Sequence, residues 1–182
     1  VVCPSNPYDA KGLLKAAIRD NDPVVFMESE QMYGDKGEVP EGEYIIPIGV
    51  ADVVREGSHV TLVSFGKIMK KVKEAADLLA EEGIEADVID LRTVRPIDYD
   101  TIMESVKKTN RLVIVEEAWP LASLSSDIAF NVQRDAFDYM DAPVKRVCTA
   151  DVPMAYAPNL VEEFMPKVSK IVEEVKSVMY VK

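Results

Sequence analysis

Short segments rich in Val, Ile and Leu alternate with longer amphipathic segments over residues 60–179. The short segments have the length and β-branched composition of buried strands, and they lie at 60–64, 86–91, 112–115 and 144–148. Strands that alternate with helices of this length form βαβ units, in which the helices cover both faces of a mostly parallel sheet. The alternation therefore predicts an open, doubly wound α/β domain from about residue 45 onward.

The segments between these strands are predicted to be helices, because their apolar residues recur at helical spacing. We place these helices at about 67–82, 98–108, 122–134 and 160–179. The last of them is predicted as one continuous helix, with apolar residues on one side from Leu160 to Met179.

Residues 1–47 do not continue the regular alternation. We predict short strands at 1–3 and 24–27, joined by a helix over 10–19 with Asp9 as its N-cap. Residues 29–45 lack any periodicity and are interpreted as a linker, with regular structure resuming near 45–49. This N-terminal half-unit has too little apolar surface to form its own core.

The acidic composition limits the kind of partner that the chain can bind. Asp and Glu total 32 against 21 Lys and Arg, which gives a formal net charge of −11. Such a balance argues against nucleic-acid binding and favours a partner with a basic patch. No apolar run approaches the length of a membrane span, so no membrane partner is expected. The chain opens without an initiator Met or a leader, and we interpret it as part of a longer protein.

Metal and phosphate motifs are scarce. The two cysteines, Cys3 and Cys148, lie far apart and His59 is the single histidine, which argues against a zinc site and fits a reducing compartment. Neither GxGxxG nor GxxxxGK[ST] occurs. Ser64-Phe65-Gly66-Lys67 joins a strand to a helix, and we interpret it as a tight turn, with anion binding as the alternative.

Glu116 and Glu117 follow the third predicted strand of the regular region, where open α/β sheets bind ligands. One of them is a candidate general acid or base. The alternative is one inward, hydrogen-bonded carboxylate and one solvated carboxylate.

Arg92 and Arg95 at another strand end are candidates for clamping a phosphate or carboxylate, or for a structural or intersubunit salt bridge. Trp119 is predicted to lie either in the core or at an interface, and His59 to be exposed in a turn. Taken alone, these residues indicate an α/β domain without a self-contained active site.

Several longer motifs resemble one protein family. They are NPYDAKGL at 6–13, MYG at 32–34, DLRTVRPID at 90–98, VEEAWP at 115–120 and ADVPMAY at 150–156. Together they resemble the beta subunits of the decarboxylating component of pyruvate dehydrogenase, within the transketolase-like family. One departure is LASLSSDI at 121–128, where the family usually has a glycine-rich turn.

The resemblance implies a fold and a domain division. It implies a three-layer α/β/α sandwich with a mostly parallel, mixed five-stranded sheet, like the transketolase C-terminal domain. Residues 1–28 would then be the end of a pyrimidine-binding domain, 29–45 a linker, and 46–182 the transketolase C-terminal domain.

The resemblance also implies an activity for the whole enzyme. Such enzymes decarboxylate pyruvate on thiamine diphosphate with magnesium and transfer the acetyl group to lipoyl groups. The residues that bind these cofactors lie upstream of residue 1 or in the alpha subunit, so this part alone is expected to be inactive and to serve subunit assembly and docking. Alternatives are the beta subunit of branched-chain 2-oxo acid or acetoin dehydrogenase, and a non-catalytic interaction module.

Two candidate sites follow from the resemblance. A potassium ion is expected at Ala17, Ile18, Asp20 and Asp22, and the alternative is a plain helix end with solvated Asp22. Asp141 is expected to contact the basic subunit-binding domain of dihydrolipoyl acetyltransferase, and the alternative is a solvated turn residue.

The other partners implied are the alpha subunit and a second beta subunit. The location implied is the bacterial cytoplasm or the mitochondrial matrix.

Overall fold

Five strands form one mixed sheet in the computed structural model, which describes residues 1–181. The strands are β1 (Asp52–Arg55), β2 (Val60–Ser64), β3 (Ala86–Asp90), β4 (Leu112–Val115) and β5 (Lys145–Val147). Their order is β1-β3-β2-β4-β5, with β1 antiparallel to β3 and all other neighbours parallel. Regular structure after the linker therefore begins at β1 rather than near residues 45–49.

Six α-helices accompany the sheet. They are α1 (Pro7–Arg19), α2 (Met69–Glu81), α3 (Tyr99–Thr109), α4 (Leu124–Ala136), α5 (Pro158–Phe164) and α6 (Val168–Met179). Helices α2 and α6 cover one face of the sheet, and α3 and α4 cover the other. This arrangement confirms the α/β/α sandwich with a mixed five-stranded sheet. None of the helices in residues 1–181 is long and apolar enough to cross a bilayer.

Alternate residues of the central strands supply the two cores. Leu62 and Val88 pack beneath α2 and α6, whereas Val63 and Ile89 pack beneath α3 and α4. All four side chains are fully buried. Because each contributes about 1.5–3 kcal/mol on burial, the two cores hold both helix layers on the sheet.

The prediction of one continuous helix over 160–179 is wrong. Helix α5 ends at Phe164, and α6 begins at Val168. Pro166 causes the break, because a proline disfavours helical backbone in the residue before it. That residue, Met165, is accordingly extended, with φ −76° and ψ 148°.

The N-terminal residues pack against the sheet without adding strands to it. Val2 forms isolated bridges with Phe26 and Thr93, so the strands predicted at 1–3 and 24–27 are reduced to single pairs. Val2 is fully buried and clusters with Leu13 of α1 and Ile46. This small cluster is separate from the two cores of the sheet.

The N-cap of α1 differs from the sequence-based prediction, and the last residue of the chain is not described. Asn6, rather than Asp9, caps α1, since its side chain accepts a hydrogen bond from Asp9 N at 2.9 Å. Lys182, the last residue of the domain predicted over 46–182, lies outside the described residues.

Candidate functional site at the carboxyl edge of the sheet

Strands β2 and β4 end side by side at the topological switch point of the sheet. The chain passes from β2 to β3 on one side, whereas it passes from β4 to β5 on the other. Ligands of open α/β sheets bind outside the carboxyl ends of the strands at such a point. The residues that follow these two strands, Gly66 and Lys67 after β2 and Glu116 and Glu117 after β4, are therefore the leading candidates for a functional site.

Lys67 and Glu117 form an ion pair across this point. Lys67 Nζ lies 2.7 Å from Glu117 Oε1 and donates a hydrogen bond to Gln31 Oε1 at 3.1 Å. Gly66 has a φ of +63°, so the tight turn predicted after β2 is confirmed. The pair lines a cleft of about 500 Å³, which the segment from Met27 to Met32 also lines.

Glu116 points inward and ties down the loop that follows it. Its carboxylate is fully buried and accepts hydrogen bonds from the backbone N–H and the hydroxyl of Ser125 in the first turn of α4. Cys148 Sγ donates to the same carboxylate at 3.6 Å, and burial raises the pKa of this thiol. This geometry confirms the interpretation of Glu116 as an inward structural carboxylate, while Glu117 is ion-paired.

Arg92 joins the N-terminal residues to the sheet. Its Nη2 lies 2.8 Å from Asp9 Oδ1 and 2.8 Å from Asp52 Oδ2, and Asp9 is fully buried. The structural salt bridge predicted as one alternative is thereby confirmed. Arg95 is exposed, and its carbonyl oxygen accepts a hydrogen bond from Val1 N.

Asp90, at the end of β3, forms the second polar link to the N-terminal residues. Ser5 Oγ donates to Asp90 Oδ2, and Arg92 N donates to Asp90 Oδ1 at 3.0 Å. The carboxyl group is fully buried, and this burial raises its pKa to about 6. This link was not predicted from the sequence, because nothing in the local pattern of either residue connects positions 85 apart in the chain.

Trp119 lies at a surface rather than in the core. Its side chain is half exposed, and its Nε1 donates to Val152 O at 2.9 Å. Leu121, Met154 and Tyr156 are also exposed apolar residues of the loops at this end of the sheet. The interface interpretation of Trp119 therefore fits its placement.

His59 is less exposed than predicted. Its Nδ1 accepts a hydrogen bond from Glu85 N at 2.8 Å, and the residue is half-buried beside the start of β2.

The candidate potassium residues lie at the end of α1. Asp20 follows the helix, and its Oδ1 accepts a hydrogen bond from Asp22 N at 2.9 Å. Within residues 1–181, no backbone N–H beyond α1 donates to the carbonyl oxygen of Ala17 or Ile18. Carbonyl oxygens and carboxylates are hard donors of the kind that a potassium ion prefers.

Asp141 lies in the turn before β5 and already has a partner within the chain. Its Oδ2 lies 3.3 Å from Arg111 Nη2, and its side chain remains 58% exposed. The backbone N–H of Asp141 donates to Asn110 O at 2.9 Å. The carboxylate is thus held in place, with more than half of its surface free for a further contact.

The cleft at the switch point does not fit a diphosphate–magnesium group. Glu28, Glu30 and Glu117 line it, and their carboxylates would repel a diphosphate. The single lysine of the cleft, Lys67, is already paired. Across the described part of the chain, no group of three or more His, Cys, Asp or Glu side chains is arranged to hold a metal ion.

Comparison with protein families matches both parts of the chain. Residues 49–171 match the family model "Transketolase, C-terminal domain", and residues 1–36 match "Transketolase, pyrimidine binding domain". Among solved structures, a split-gene transketolase in an inactive β4 tetramer superimposes with a TM-score of 0.81 and 26% sequence identity. The match covers 100% of this chain and 58% of the transketolase chain.

Curated relatives that are about half identical to this chain over the matched residues fall into two groups by name. The pyruvate dehydrogenase E1 component subunit beta of Dictyostelium discoideum, a mitochondrial protein, is 50% identical over 98% of this chain. The beta subunit of acetoin:2,6-dichlorophenolindophenol oxidoreductase from Cupriavidus necator is 47% identical over 98% of this chain. The chain spans about half of each relative, 51% and 53% respectively.

The raised pKa of Asp90 predicts a pH-dependent stability. A carboxyl group with a pKa of about 6 in the folded chain and 3.8 in the unfolded chain stabilises the fold fully below 3.8, and this contribution is lost as the pH rises through 6. A shift of this size corresponds to about 3 kcal/mol. We therefore expect the free energy of unfolding of the wild type, relative to Asp90→Asn, to fall by about 2 kcal/mol between pH 4 and pH 7, since at pH 4 the unfolded carboxyl group is already partly ionised.

Urea unfolding of both proteins across this pH range measures the difference. Asp100→Asn, an exposed carboxylate in the first turn of α3, is the control and should keep the wild-type pH profile. Parallel profiles for wild type and Asp90→Asn would contradict the prediction.

Proposed function

Since this chain belongs to the transketolase family through its C-terminal domain, we propose that it is the C-terminal part of the beta subunit of a pyruvate dehydrogenase decarboxylating component. In the whole enzyme, this component oxidatively decarboxylates pyruvate and transfers the acetyl group to lipoyl groups. The observation that carries the proposal is the 50% identity to a pyruvate dehydrogenase E1 beta subunit over almost all of this chain. Residues 1–28, 29–45 and 46–182 would be the end of the pyrimidine-binding domain, the linker and the C-terminal domain.

Acetoin is a second candidate substrate, because the acetoin oxidoreductase beta subunit is similar to nearly the same degree. The motifs RPID at 95–98 and ADVPM at 150–154 favour pyruvate, since they resemble the pyruvate branch of the family.

The role of this part of the subunit is assembly and docking. Glu116 is enclosed by its own chain, and Glu117 and Lys67 neutralise each other, so neither glutamate is free for acid–base chemistry. The exposed apolar residues around Trp119 offer a surface for the alpha subunit or a second beta subunit. The whole enzyme would work in the bacterial cytoplasm or the mitochondrial matrix.

Thiamine diphosphate and magnesium would be held by residues outside this chain, since the cleft at its switch point repels a diphosphate. When bound there, thiamine diphosphate would supply the electron sink for the decarboxylation of a 2-oxo acid. Residues of this chain take no part in that step.

Turnover of the whole enzyme tests the substrate. We expect the full-length beta subunit, combined with its alpha subunit, to turn over pyruvate at least about tenfold more efficiently, in kcat/KM, than acetoin or a branched 2-oxo acid, which corresponds to about 1.4 kcal/mol of transition-state discrimination. Reduction of 2,6-dichlorophenolindophenol measures all three substrates, with thiamine diphosphate omitted as the control. A preference for acetoin would indicate the beta subunit of an acetoin dehydrogenase. Absence of turnover with all three substrates would indicate a non-catalytic interaction module.

The carbonyl oxygens of Ala17 and Ile18, with Asp20 and Asp22, would hold a potassium ion that keeps the end of α1 in place. The geometry supports this because both carbonyl oxygens lack a backbone donor beyond the helix within residues 1–181. We expect thallium-soaked crystals of the intact subunit to show an anomalous peak at this loop, with its height reduced in Asp22→Ala. A loop without a peak would indicate a plain helix end with solvated Asp22.

Asp141 would bind the basic subunit-binding domain of the acetyltransferase core. A half-exposed carboxylate accepts charge-assisted hydrogen bonds from Arg or Lys, and the net charge of −11 speeds the approach of a basic partner. We expect Asp141→Ala to weaken binding by about 1–3 kcal/mol with little change in thermal stability, because the Arg111 pair that is also lost is half-exposed.

Titration calorimetry of the intact component with the isolated basic domain, at two salt concentrations, measures this effect. Asp138→Ala, an exposed carboxylate three residues earlier, is the matched control. Equal affinity and equal salt dependence for wild type and Asp141→Ala would remove Asp141 from the interface.

A further inference from the structure

A second cavity, of about 460 Å³, lies next to the cleft at the switch point. The two share Met32 and the Lys67–Glu117 pair, but the second cavity opens towards the break between α5 and α6. Its volume is in the range of small-molecule sites, which usually measure about 300–1,000 Å³.

Aliphatic and thioether side chains form the walls of this cavity. They come from four separate parts of the chain: Met32, Ile68, Met154, Val161 and Met165. The lining contains no aromatic side chain. A flexible, unbranched apolar ligand could contact these residues along its whole length.

Three lysines line the cavity against a single acid. Lys67 is paired with Glu117, and Lys70 Nζ lies 2.5 Å from Asp35 Oδ2. Lys71 has no carboxylate partner among the residues that the structure describes. Its Nζ donates one hydrogen bond, at 2.7 Å, to the carbonyl oxygen of Pro166.

The helix break positions this cation. Pro166 interrupts the helical hydrogen bonding between α5 and α6, and its carbonyl oxygen holds the half-buried Lys71 ammonium at the cavity. An ammonium group has three donors, so two remain for a ligand. A half-buried cation beside apolar walls favours a ligand that carries a single negative charge and is otherwise apolar.

We propose that this cavity binds an aliphatic monocarboxylate, with the carboxylate on Lys71 and the alkyl chain against Met32, Met154 and Met165. The single unpaired cation selects a monoanion, and the aliphatic and thioether walls, which include no aromatic side chain, favour an alkyl chain. The proposal does not rest on the proposed function.

Calorimetry with octanoate tests the proposal on the full-length protein, together with the subunit that copurifies with it. Octanoate should bind at least about tenfold more tightly than acetate, because its additional methylene groups contact the apolar walls. Octylammonium, which has the same chain and the opposite charge, should show no binding at the same concentrations.

Two variants locate the site. Lys71→Gln keeps a donor for Pro166 O and should weaken octanoate binding about tenfold, since the charge-assisted contact is lost. Met154→Glu places a carboxylate at an exposed position of the lining and should abolish binding. Lys73→Gln, on the same helix but outside this lining, is the matched control and should bind octanoate as the wild type does.

Any of three results would overturn the proposal. The first is no detectable octanoate binding, and the second is equal binding of octanoate and octylammonium. The third is unchanged octanoate affinity in both Lys71→Gln and Met154→Glu, provided that their thermal unfolding matches that of the wild type.

Discussion

The burial of the three central strands on both faces is the constraint on which the rest of the structure depends. Every side chain of β2, β3 and β4 is buried, including those of Thr61 and Asp87. Polar groups in such strands need partners, and Thr61 and Asp87 find them on α3, in Ser105 and Lys108. With its strands filled in this way, the sheet has room for binding chemistry only at their ends.

At those ends, most of the charged side chains hold the chain to itself. Glu116 fixes the start of α4, and Arg92 and Asp90 fix the N-terminal residues. Each of these groups has an ion-pair or hydrogen-bond partner within the chain, so residue types that are typical of active sites stabilise the fold here. The surface left over is apolar around Trp119 and basic around Lys71, and both features suit binding rather than chemistry.

The parts of the fold that were predictable are those fixed by local pattern. Strands β2, β3 and β4 were predicted because their segments are rich in apolar residues, and β5 was predicted from the valines at 144 and 147. Strand β1 was missed because it is a short edge strand without a fully buried residue. The end of α5 was missed although Pro166 is visible in the sequence, because the apolar spacing continues across it. The pairing of Glu116 was foreseen in outline, but the Arg92–Asp9 and Lys71–Pro166 contacts join residues 83 and 95 apart, which no periodicity encodes.

The long separation between Ser5 and Asp90 has a consequence for how the chain folds. A contact between residues 85 positions apart closes a large loop. Such contacts form late, because the chain loses the conformational entropy of loop closure before the contact can stabilise it. The partners of the N-terminal residues lie on β3 and in the turn behind it, so this sheet edge must exist before they can attach. We therefore expect the sheet to assemble first, with the N-terminal residues docking on a finished surface during the last step.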